Sequence, residues 1–155
     1  MAQLSRRGFR ALVFHLLYAL DAHDYTISQA AIIDNFNRGF DLKIDPVGEE
    51  AQLVTAILQE REALDLLLEP LLANWKLERL GTTTKLILRL GVWELLHTDI
   101  PTSVIINEAV ELNKDFDEPE AYKFVNGMLD QLAKQIRGTE VAVTINSISI
   151  TNKLD

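Results

Sequence analysis

The chain has 155 residues and no cysteine, which excludes disulfides, thiolate nucleophiles and sulfur-based zinc or iron–sulfur centres. Histidine is scarce. His15, His23 and His97 are the only three, and none has a second ligand-type residue at zinc spacing, so no metal and no other cofactor is expected. The seven glycines are scattered: neither G-x-G-x-x-G nor G-x-x-x-x-G-K-[ST] occurs, and the G-x-S-x-G elbow is missing too. These gaps predict a protein that is not an enzyme. No apolar run reaches the roughly 18–20 residues that span a bilayer. The opening Met1-Ala2-Gln3-Leu4-Ser5-Arg6-Arg7 lacks the apolar core and small-residue cleavage site of a secretory signal, so a cytoplasmic protein with no membrane partner is expected.

What is present is helical spacing. Phe9, Leu12, Val13, Leu16, Leu17 and Leu20 recur at i, i+3 and i+4, with Ser5 placed to cap that helix. Ser28 predicts the start of a second helix that ends near Gly39. Asp45-Pro46 predicts the start of a third, with proline in the first helical position. Leu64 to Leu72 is a very apolar segment that Pro70 bends or ends. From Thr82 to Leu96 almost no polar face remains, the mark of a central buried helix. Asp99-Ile100-Pro101 breaks the chain before helices over about 103–114 and 118–136, the latter stopped by Gly138. The β-branched residues beyond Gly138 predict an extended tail. The fold class is all-α.

Net charge is −8, which counts against nucleic acid as a partner if only the sum is considered. Its distribution says otherwise at one end, because the first 20 residues hold Arg6, Arg7 and Arg10 and no acid. Three cations at a helix N-terminus oppose the macrodipole, and guanidinium groups bind phosphate and stack on bases. The spacing predicts that they fan out from the first turns; a phosphate backbone and a solubilising cationic end are equally compatible with that. A second patch sets Phe116, Tyr122 and Phe124 beside Lys114 and Lys123, although helical spacing predicts that one or two of these rings are core. Glu108 and Glu111, one turn apart, read as the polar side of a helix whose apolar side is Val104, Ile105, Ala109 and Leu112.

Three stretches taken together are more specific: Ile87-Leu88-Arg89-Leu90-Gly91-Val92-Trp93-Glu94-Leu95, then Asp99-Ile100-Pro101 running on through Ile106-Asn107-Glu108-Ala109-Val110-Glu111-Leu112, then Lys123-Phe124-Val125-Asn126-Gly127-Met128-Leu129-Asp130. In order and spacing they resemble the signature of the NusB family, and Arg6-Arg7-x-x-Arg10 with Leu17-Tyr18 resembles its first helix. The resemblance implies about seven helices in two packed bundles, forming one domain over residues 1–137 with 138–155 as a tail. It implies a transcription antitermination factor that binds the single-stranded boxA element of nascent ribosomal RNA together with NusE, a small-subunit ribosomal protein, within the RNA polymerase antitermination complex. It places RNA contacts on Arg6, Arg7, Arg10, Phe116, Glu120, Lys123 and Phe124, and the NusE surface around Thr84, Lys85 and Glu94. Gly91 stands where members usually carry alanine. Two other roles fit the same pattern: an accessory to a separate RNA cytosine methyltransferase, and a protein-interaction module without RNA binding.

Overall fold

The computed structural model describes residues 5–72, 80–116 and 120–138. Seven α-helices follow one another: α1 (Arg6–Ala22), α2 (Gln29–Gly39), α3 (Glu49–Gln59), α4 (Arg61–Leu68), α5 (Thr82–His97), α6 (Thr102–Asp115) and α7 (Ala121–Ala133). No strand occurs among the described residues. The expected extended tail lies outside them, as do Asp117, Glu118 and Pro119.

Local chemistry starts most of these helices where the sequence predicts. The Ser5 hydroxyl accepts from the Gly8 N–H at 3.0 Å and that of Ser28 from the Ala31 N–H at 3.1 Å, each satisfying one orphan donor of a first turn. The third start differs. Asp45 and Pro46 do not open α3; they form a turn in which the Gly48 N–H donates to the Asp45 carbonyl at 3.0 Å. The Asp45 carboxylate takes the Val47 N–H, also at 3.0 Å. Pro46 is therefore the second residue of a turn, a position that its fixed φ suits equally well. Gly48 caps the helix instead. The apolar segment before Pro70 begins earlier than predicted, at Arg61, and the proline falls in a short 3-10 turn, Glu69–Leu71, that ends it.

α5 is the organising element. Leu86, Ile87, Leu88, Leu90, Val92 and Leu95 are all buried, and the helix packs against α1, α3, α4, α6 and α7. On one side α1 gathers α2 and α3; on the other α6 and α7 pack together, so α5 joins two helical groups. Gly91 lets α7 approach closely, since a Cβ there would sit 2.9 Å from both methyl carbons of Leu129. Arg137, in a π-helical turn (Lys134–Gly138), closes the far end of α5. It donates to the carbonyl of Leu95 in the last turn at 3.1 Å, and to those of Thr98 at 2.8 Å and Ile100 at 2.6 Å in the segment that follows.

Candidate nucleic-acid interface

The three N-terminal arginines do not fan out together. Arg10 shares the inward stripe of α1 with Val13, Phe14 and Leu17, and its guanidinium is buried. It holds Glu94 of α5 through Nε at 3.0 Å to both carboxylate oxygens and through Nη2 at 2.8 Å to Oε2. Arg7, on the neighbouring face, stays exposed and pairs with Glu108 of α6, Nε to Oε2 at 3.0 Å and Nη2 to Oε1 at 3.1 Å. Arg6 turns the other way. Its guanidinium lies 5.2 Å from the Phe9 ring centroid and has no carboxylate partner among the described residues. Arg6 also borders an open groove of about 460 Å³ with Phe9, Glu49, Gln52, Leu53, Ala56 and Trp93.

The expected polar side of α6 is therefore only half correct. Glu111 is partly exposed, but Glu108 is mostly covered and engaged across 101 positions of sequence. Val104 is exposed, and Ile106 takes its place in the core. The Arg7 hydrogen bonds, followed by desolvation that opposes them and then by the charges of Arg7 and Arg10, leave the Glu108 carboxyl below its ordinary pKa.

Further along α1 an aromatic surface forms. Phe116, at the end of α6, packs against Phe14 with ring centroids 4.5 Å apart and edge-on to His15 at 5.1 Å. Tyr18 continues it, 6.1 Å from Phe14 and 44% exposed. His15 and Tyr18 carried no site assignment from sequence, although His15 flanks the inward stripe and Tyr18 is one turn beyond Phe14. Desolvation by partial burial lowers the His15 pKa below its usual 6.5. Phe124 is half-buried against the core, which matches the expectation that some of these rings pack inward. Glu120 and Lys123 remain exposed and pair loosely at 3.6 Å, and Lys114 lies 4.9 Å from the Tyr122 centroid. Glu120 has a left-handed backbone with φ 68°, an arrangement that aims the chain into α7 and is strained for a residue with a side chain.

Two of the three residues expected to form a partner surface are buried. Thr84 is buried and meets the Asn113 amide at 3.5 Å, while Glu94 is buried against Arg10. Lys85 is the most accessible, reaching Asp21 of α1 at 3.4 Å. Lys85 and Glu94 are thus both engaged by α1, at Asp21 and at Arg10. Among the described residues there is no cluster of three or more metal-type ligands, and no helix long and apolar enough to cross a membrane.

A model of the NusB family matches residues 7–134. The chain is 40% identical over 131 residues to the transcription antitermination protein NusB of Staphylococcus haemolyticus, which covers 83% of this chain and 99% of that relative. Among solved structures it is similar to NusB of T. maritima, with a TM-score of 0.73, 28% identity and coverage of 86% of this chain and 93% of the other. It is similar also to a chain in the crystal structure of antitermination factors NusB and NusE in complex with double-stranded RNA, at a TM-score of 0.70 and 28% identity, over 84% of this chain and 96% of that one. The family model spans most of the chain, and the relative is similar over nearly its whole length, so this chain belongs to the NusB family.

Proposed function

We propose that this chain is a transcription antitermination factor that binds boxA-like RNA together with NusE and acts by binding, not by catalysis, in the cytoplasm. The observation that carries this reading is α1, which leaves Arg6 and Arg7 exposed at its start and, about two turns further along, carries an aromatic surface of His15, Tyr18 and Phe116. Guanidinium groups beside aromatic rings grip a phosphate backbone and unpaired bases. Arg6 and Arg7 are assigned to phosphate, Lys123 to the same path, and Phe116 and Phe124 to the support of base contacts. Glu120, exposed at the start of α7, borders that path.

Arg10 is assigned a different part. Buried and paired, it holds α1 on α5 and so sets the orientation of its two exposed neighbours. On the partner side Lys85 is the contact residue, with Thr84 and Glu94 acting from inside the helix packing. The complex of NusB and NusE with RNA among the similar structures supports a joint role with NusE and RNA.

The test is a titration of boxA-like and scrambled single-stranded RNA, with and without NusE, across a salt series. Tighter binding of boxA in the presence of NusE is expected. If neither RNA binds even with NusE present, the reading fails. A methyltransferase-accessory role predicts instead that such an enzyme co-purifies and that boxA has no advantage.

A further inference from the structure

Glu108 does more than offset a charge. Its carboxylate occupies the Nε and Nη2 donors of Arg7, one edge of the planar guanidinium. One N–H of Nη1 and the second N–H of Nη2 lie side by side along another edge, a pair of donors that can grip a phosphate. The two partners differ sharply in exposure, 65% for the Arg7 side chain and 18% for that of Glu108. The carboxylate is thus held by its surroundings on α6, next to the buried Arg10, while the arginine head reaches into solvent.

Charge alone and geometry predict opposite effects. A carboxylate near an RNA contact repels phosphate, so its removal should tighten binding. Across a guanidinium and in solvent that repulsion is screened. Immobilising an arginine that starts free, by contrast, lowers affinity by a factor of roughly 2–10. The second effect is the larger. We propose that Glu108 is a positioning residue that holds Arg7 by one edge and presents another edge to an RNA phosphate. This rests on the reading that Arg7 contacts RNA.

The experiment uses the full chain and a short single-stranded RNA carrying boxA, with four variants: Glu108→Gln, Glu108→Asp, Arg7→Ala and the double Arg7→Ala/Glu108→Gln. Thermal melts establish that each is folded. Glu108→Gln should weaken binding by roughly 2–10-fold, although it makes the protein less negative. Glu108→Asp, which keeps the charge and shortens the reach, should also weaken it. Both should keep the wild-type salt slope, because Arg7 still reaches its phosphate, and Glu108→Gln should have no further effect once Arg7 is alanine. Unchanged or tighter binding by Glu108→Gln, with Arg7→Ala weakened, would overturn the positioning role alone. If Arg7→Ala changes neither affinity nor salt slope, Arg7 is not an RNA contact and both readings fall.

Discussion

Arg10 of α1 and Glu94 of α5 form a buried, multiply hydrogen-bonded ion pair, with both side chains 7% exposed and Nη2 2.8 Å from Oε2. The pair fastens the first helix to the central one directly beneath the exposed Arg6 and Arg7. Loss of either partner leaves the other charge buried and alone, which destabilises by about 3–5 kcal/mol. Arg10→Met and Glu94→Leu should each show that loss in urea denaturation, while the double variant should lose clearly less than the sum. Additive losses would mean that the two groups do not compensate one another.

Gly91 sets the separation of α5 and α7. A single methyl there presses on the two Leu129 methyls at 2.9 Å, and Leu129 is itself fully buried. Alanine adds helix propensity that offsets part of this contact. Valine has no such compensation and should destabilise by about 1–3 kcal/mol through overpacking. Combining Gly91→Val with Leu129→Ala should recover part of that loss, as measured by denaturant midpoints. If Gly91→Val is as stable as wild type, the close approach of the two helices is not as described.

Two groups predict the dependence of stability on acid. His15 has a folded pKa below its usual 6.5, so the folded state takes up its proton later than the unfolded chain. The stability associated with neutral His15 is complete above about pH 6.5 and declines as the pH falls toward the folded value. Glu108 has a depressed carboxyl pKa, so the benefit of its ionised pair with Arg7 is present above the ordinary value of 4.5 and is lost as the pH falls through the folded value. Two-dimensional NMR titration should find His15 titrating below 6.5, and His15→Gln should flatten the decline just beneath pH 6.5. A His15 pKa at or above 6.5 would contradict the packing of its ring.

The helices were legible because their chemistry is local. Ser5 and Ser28 cap their first turns, and the apolar run of α5 can only be central. Pro46 was ambiguous in sequence, since a turn and a first helical turn want the same φ, and the Asp45 carboxylate decides between them through a bond to Val47. The site was less legible. The inward place of Arg10 is written in its i+3, i+4 and i+7 neighbours Val13, Phe14 and Leu17, a stripe that outweighs its charge once Glu94 is there to receive it. Glu108 gives no such sign, because its partner is 101 positions away and on another helix.

If Arg6 and Arg7, and not Arg10, meet the RNA backbone, their removal changes the salt dependence of binding. The most direct measurement is the slope of log Kobs against log salt for a boxA single strand with the full chain and NusE, comparing wild type with Arg6→Ala/Arg7→Ala. Each phosphate contact on a single strand contributes about 0.7 to that slope, so the double variant should be shallower by about 1.4. A slope equal to that of wild type would move the RNA path away from the start of α1.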